Sequence, residues 1–192
     1  MQLKKEELRA AIVENAADEF LQKGYINASL RNIAKKSGTT IGNLYHYFEN
    51  KEALFDELVK DEYNTFLYFM RNHSEIVLPE GEIKNDGAWR DLLLDAVGEI
   101  IPVFTKRFLI MVDMSGGTKY ENFKNEFINI LENHFEGHIH SKKAAIPGFA
   151  RVIAVQLLNG ILYIIRNYDD DSVKRQLICD ILLFNIAGTS AF

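Results

Sequence analysis

A chain of 192 residues has room for one average domain, or for a small domain joined to a larger one, and not for three. Hydrophobic residues make up 47%, charged residues 26% and aromatics 11%, a composition that excludes a disordered chain and supplies a buried core. The net charge of −5 excludes a protein that coats nucleic acid wholesale, in the manner of a histone-like or ribosomal protein. Three prolines and twelve glycines are too few turn residues for a many-stranded sandwich or barrel, so the expected fold class is all-α. Cys179 stands alone, which rules out a disulfide framework or a Cys-based zinc site within one chain. The opening MQLKKEELR lacks the apolar stretch of a signal peptide. The longest apolar run, 153–165, is interrupted by Gln156 and Asn159 and closed by Arg166, short of the ~20 residues that span a bilayer. A cytoplasmic location is expected.

Taken in chain order, the first helix follows from apolar residues at Leu8, Ile12, Ala16 and Phe20, the three-four spacing of one buried face. Gly24 is expected to stop it, because glycine readily takes the left-handed conformation that ends a helix. Ser29 suits the cap of a short second helix over 30–36, with Leu30, Ile33 and Ala34 inward and Arg31, Asn32, Lys35 and Lys36 outward. After Gly38, Thr40 can cap a third segment over 41–48, and Asn50 a longer helix from Lys51. Two short helices across a Gly-containing turn, flanked by longer ones, have the layout of a helix-turn-helix unit.

The helix from Lys51 carries a long apolar stripe through Leu54, Phe55, Leu58, Val59, Tyr63, Phe66 and Met70, more than a three-helix head needs. Residues 75–87 read as a loop. A helix over 88–104, bent near Pro102, should lead into 105–114; Ser115, Gly116 and Gly117 break the chain, and an amphipathic helix should end near Gly137. A polar stretch, 138–145, precedes Pro147, which suits a first helical turn. The segment 149–168 is apolar on nearly all sides, and 173–187 shows similarly wide coverage after Ser172, a potential cap. Two readings fit these last helices: one face packs on the protein's own core and the other on a second copy, or a single domain buries both.

Charge is unevenly distributed. Residues 23–51 carry +4, residues 1–22 carry −2, and the remainder carries −7. A basic window in an acidic protein is a local footprint for phosphates, although any surface helix can carry several lysines.

The window lies within IVENAADEFLQKGYINASLRNIAKKSGTTIGNLYHYFENKEALFDELV, residues 12–59. This segment resembles the N-terminal DNA-binding domain of the tetracycline-repressor-like (TetR) family of bacterial transcriptional regulators. The resemblance rests on AADEFLQKGY, SLRNIAKKSG and GNLYHYFENKEALF at the family's separations, and covers about a quarter of the chain. It implies a helix-turn-helix DNA-binding domain over 1–50 and a helical ligand-binding and dimerisation domain over 51–192. It further implies a homodimeric repressor that releases a palindromic DNA operator when a small, largely apolar effector binds. The last two helices would form the dimer, and no cofactor is implied.

For the DNA-binding face, Thr39, Thr40, Asn43 and His46 suit base edges: threonine methyls can meet thymine methyls, and an asparagine can pair with adenine. Gly42 would allow close approach to the sugar-phosphate chain. Tyr45 and Tyr47 can donate hydroxyls to phosphate, while Lys51, Ser29 and Arg31 suit phosphates at helix starts. Leu44 and Phe48 are expected in the head's core with Phe20, Ile33 and Ala34. Ile41 departs from the Lys or small polar residue frequent there in the family, removing one cation.

For the effector, the residues singled out are Tyr63, Phe66, Trp89, Phe104, Phe108, Met111, Tyr120, Phe123, Phe127, Asn159 and Tyr163, each also explicable as ordinary core. Asn159, an amide in an apolar helix, is expected to be buried with partners. His134, His138 and His140 invite a metal reading, but Gly137 falls among them and solvated histidines near a helix end fit better. No phosphate-binding loop, nucleophile elbow or zinc-protease motif occurs, which disfavours an enzyme. The alternative function is an all-helical small-molecule binding protein whose head mediates protein contacts.

Overall fold

The structure, a computed structural model, describes residues 2–72, 88–138 and 147–190. The expected loop over 75–87 and most of the polar stretch over 138–145, including His140, lie outside the described residues. Those residues form α1 (Gln2–Asn27), α2 (Leu30–Lys36), α3 (Ile41–Tyr45), α4 (Lys51–Asn72), α5 (Ala88–Ile100), α6 (Lys106–Asp113), α7 (Phe123–His138), α8 (Phe149–Asn167) and α9 (Asp171–Ser190). A 3-10 turn, Ile101–Val103, sits where Pro102 was expected to bend the chain. The fold is all-α, with no strand among the described residues.

Contacts divide the chain into two units, Met1–Leu67 with Thr105–Phe123, and Tyr68–Phe104 with Lys124–Phe192. In the first unit, α1 packs on α2 and α6, and α2 on α3. Gly24, at φ 69°, interrupts the helical path of α1 as expected, and a last turn continues to Asn27. The Tyr25 amide then donates to the Met114 carbonyl at 2.9 Å, joining the end of α1 to the end of α6. Phe20, Tyr25 and Phe55 form a ring cluster, with Phe20 5.1 Å and Tyr25 5.3 Å from Phe55, both edge-on.

In the second unit, α9 packs against α5 and α8. Ion pairs from Arg90 to Asp180 and from Arg175 to Asp95 join α5 to α9, and Arg175 also donates to the Leu94 carbonyl at 2.7 Å. Gly160 brings α8 close to α9: a Cβ there would lie 3.1 Å from the Ile181 side chain. Helix α8 has 19 residues and a mean hydropathy of 1.5, enough by length and composition to cross a membrane, but half of that window is buried by packing within the protein.

Three local expectations need correction. Helix α3 ends at Tyr45, three residues short of Phe48, because the His46 and Tyr47 amides turn back to the Asn43 and Leu44 carbonyls. Asp170 caps α9 in place of Ser172, its carboxylate accepting from the Ser172 and Val173 amides at 2.8 and 3.0 Å. Pro147 lies outside α8, whose N-cap is Gly148.

Candidate nucleic-acid interface

The head is assembled by capping and by a small core. Ser29 accepts from the Asn32 amide at 3.4 Å, Thr40 from the Asn43 amide at 3.2 Å, and Asn50 from the Ala53 amide at 2.8 Å, so all three expected caps are in place. Gly38, at φ 67°, makes the turn between α2 and α3, where a side chain would be strained. Leu44, Phe48, Phe20, Ile33 and Ala34 are buried, as their spacing indicates.

With those side chains inward, α3 presents the opposite face to solvent. Thr40, Gly42, Tyr45 and His46 are exposed, Tyr45 to 50%; Thr39, Asn43 and Tyr47 are half-buried. The Asn43 amide nitrogen donates to Thr39 Oγ1 at 2.8 Å, which fixes the side chain at the start of α3 and leaves its second N–H and its carbonyl oxygen for other partners. Gly42 has ordinary helical backbone, and a Cβ there would find only Thr40 Oγ1, at 4.0 Å. Neither backbone conformation nor internal packing demands a glycine at that position.

Lys51 begins α4, but its ammonium donates to the Ile26 and Ala28 carbonyls at 3.0 and 3.1 Å and lies 4.7 Å above the Tyr25 ring. It thereby ties the start of α4 to the chain end of α1, with one N–H remaining. Burial pulls its ammonium below the ordinary lysine range. Arg31 is exposed on α2, beside Ser29.

Glu19 was not among the residues expected at this site. It is 1% exposed, and its Oε1 accepts from Lys23 Nζ at 2.7 Å, the Ser29 amide at 3.2 Å and the Asn32 side-chain amide at 3.4 Å. Lys36 Nζ lies 3.8 Å from Oε2. The Lys23 hydrogen bond, aided by those from Ser29 and Asn32, outweighs burial and holds the Glu19 carboxyl below the ordinary range. One buried carboxylate thus anchors the N-terminus of α2 to α1 and neutralises two lysines of the basic window. The sequence carries the signal: Glu19 falls seven residues after Ile12 and three after Ala16, on the apolar stripe of α1.

Away from the head's surface, five of the aromatic residues singled out for an effector do meet. Tyr63 lies 5.2 Å from Tyr120 and 5.6 Å from Phe123, and Phe66 lies 5.4 Å from Phe123 and 6.5 Å from Phe108. The Tyr120 hydroxyl donates to Asp56 at 2.5 Å; burial and that carboxylate push the phenol well above its ordinary range. Met111 is buried in the same unit, while Phe104 and Phe127 are buried in the other. Trp89 lies on α5. Asn159 corrects the expectation of a buried amide: it is exposed, on the α8 stripe Val152, Gln156, Asn159 and Tyr163 that faces away from Leu158 and Leu162. Tyr163 is 60% exposed on that stripe. His134 is exposed, its ring 5.9 Å from Phe135, and His138 closes α7.

A short, exposed, polar helix held across a glycine turn from a second short helix, both buttressed by a longer one, defines a helix-turn-helix DNA-binding protein. Residues 12–58 match the family described as "Bacterial regulatory proteins, tetR family". The chain is 27% identical over 148 residues to the HTH-type transcriptional regulator YdgC of Bacillus subtilis, spanning 74% of this chain and 73% of that one. It is 32% identical over 69 residues to the biofilm operon icaADBC negative transcriptional regulator IcaR of Staphylococcus epidermidis, a match that covers 35% of this chain and 37% of IcaR. A crystal structure of AibR in complex with isovaleryl coenzyme A and operator DNA shares the fold, with a TM-score of 0.52 and 21% identity over 91% of this chain and 97% of that one. Residues 12–58 carry the DNA-binding domain of the TetR family, and the chain is similar to transcriptional regulators that contain it.

Proposed function

We propose that this regulator is a cytoplasmic, homodimeric repressor that binds a palindromic operator and releases it when a small molecule binds. It acts by binding, with no catalytic step. The observation that carries the DNA-facing assignment is the glycine at position 42. A glycine inside a helix costs about 0.5–1 kcal/mol relative to alanine, nothing among the described residues requires it, and an approaching sugar-phosphate chain would. In this reading Thr39, Thr40, Asn43 and His46 meet base edges, and Ser29, Arg31, Tyr45, Tyr47 and the remaining N–H of Lys51 meet phosphates.

The functional division falls at residues 50 and 51, with operator binding before it and effector binding and dimerisation after it. The uncharged, exposed stripe on α8, with Val152 64% exposed, and Phe184 on α9, 71% exposed, support pairing with a second copy. Two copies related by a two-fold axis would present two recognition helices to the half-sites of a palindrome. Effector binding would favour one tilt of α4 and hence one spacing of the heads, weakening their simultaneous fit to DNA. The negative regulator IcaR, and AibR with its bound acyl-coenzyme A and operator, support repression and effector response by analogy.

Gel shifts on the DNA flanking its own gene test the reading. Sequence-selective retardation at low salt is expected, and equal binding to every fragment would overturn it. Because Lys51 also holds the head together, Arg31→Ala and Tyr47→Phe test the phosphate contacts: both should weaken binding evenly across sequences, and the arginine change should lower the salt slope by about 1. Asn43→Ala should instead alter sequence preference, by about 1–3 kcal/mol at one base pair.

A further inference from the structure

Two acids interrupt apolar stripes in the first unit, and only one of them is fully satisfied. Glu19 is surrounded by donors. Glu62, on α4 four residues after Leu58 and four before Phe66, is not: its Oε1 accepts from the Thr105 hydroxyl at 3.1 Å, while its buried Oε2 has no hydrogen-bond partner among the described residues. Burial pushes the Glu62 carboxyl above its ordinary range, as befits an acid short of donors. Arg107, two residues beyond Thr105, donates to Glu14 at 2.6 Å instead.

The neighbours of Glu62 suggest what would satisfy it. Phe66 follows one turn along α4, Phe108 follows Thr105 one turn along α6, and Phe123 lies 5.4 Å from the first ring and 6.0 Å from the second. Ring faces attract cations and repel anions, and a carboxylate oxygen without a donor requires an N–H or O–H. An ammonium group meets both requirements; a neutral alcohol meets one, and a carboxylate meets neither.

We propose that Glu62 anchors an effector site for an amphiphilic organic amine, whose ammonium donates to Oε2 while Thr105 holds Oε1, and whose apolar body lies against the rings of Phe66, Phe108 and Phe123. The inference rests on the ligand-responsive reading above and names the chemical class of the ligand. Calorimetric titration of the full chain with three matched probes tests it: 2-(1-naphthyl)ethylamine, 2-(1-naphthyl)ethanol and 1-naphthylacetate. The amine should bind at least about tenfold tighter than the alcohol, and the acetate most weakly. Glu62→Gln should bring the amine down to the affinity of the alcohol, with helicity preserved. Glu62→Asp, which keeps the charge, should retain the preference at lower affinity.

Equal binding of amine and alcohol, no amine binding up to about 1 mM, or an amine preference that survives Glu62→Gln overturns the proposal. Gel shifts with the same probes separate it from the broader reading. Operator release by the alcohol or the acetate in preference to the amine would overturn the Glu62 site and keep the sensor. Amine binding that depends on Glu62 but leaves operator affinity unaltered would keep the site and overturn the sensor.

Discussion

The head and the last two helices solve the problem of helix placement by different means. In the head, α2 and α3 have seven and five residues, too few to hold themselves. Directional bonds position them: the Ser29, Thr40 and Asn50 caps, the Gly38 turn, the Glu19 carboxylate and the Lys51 ammonium on two carbonyls. Helices α8 and α9 have 19 and 20 residues, and α8 starts without a side-chain cap. Burial carries most of α8, through Ile153, Leu157, Leu158, Ile161, Leu162 and Ile165, whereas α9 adds to Ile178 the Asp170 cap and the Arg90 and Arg175 ion pairs with α5. Directional bonds fix a surface to within a hydrogen bond's tolerance; burial tolerates sequence drift and leaves Val152 and Phe184 exposed on the outer faces of α8 and α9.

The comparison can be broken from either side. Val152→Glu with Phe184→Glu places charges on the outer faces of α8 and α9, and burying each unpaired in a dimer costs several kcal/mol. Sedimentation should then show a monomer with unchanged helicity; a persisting dimer would remove the interface from this surface. Phe20→Ala, at a fully buried ring contact, should cost about 3–5 kcal/mol in urea denaturation and abolish DNA binding.

Glu19→Gln keeps an acceptor but removes the charge facing Lys23 and Lys36, and should cost about 1.5–3 kcal/mol at neutral pH. The pH dependence has a definite sign. Because the folded Glu19 carboxyl sits below its ordinary value of 4.5, its stabilisation is full above that value and is lost as pH falls through the lowered one. Below pH 4.5, stability should therefore fall less steeply with decreasing pH for the glutamine variant, as acid denaturation would show. The smallest effect concerns Gly42→Ala, which should stabilise the head by about 0.5–1 kcal/mol while weakening operator binding. A variant that gained stability and kept full affinity would show that DNA does not approach there.

The head was largely legible in the sequence because its determinants are local. A cap reads from one residue and its neighbour three positions on, and the glycine turn reads from Gly38; the buried set Phe20, Ile33, Leu44 and Phe48 reads from spacing. What escaped was long-range or individual. Lys51 reads as a phosphate ligand, while its hold on the Ile26 and Ala28 carbonyls, more than twenty residues away, is invisible in the sequence. Asn159 looks buried because α8 is apolar on most sides, yet its orientation depends on which face α9 covers. Asp170 precedes Ser172 as a cap because the acidic turn offered three adjacent alternatives, and sequence alone does not rank them. Glu19 and Glu62 were visible as acids on apolar stripes; their different fates depend on donors supplied by other segments.

Fluorescence anisotropy of the full chain on labelled DNA from the region flanking its own gene, against a scrambled duplex of equal length and across a salt series, tests the central claim most directly. A regulator that reads DNA through α3 should prefer one fragment by about 10³ or more, with affinity for both falling linearly in log salt. Equal affinity for the two duplexes at every salt concentration would contradict it.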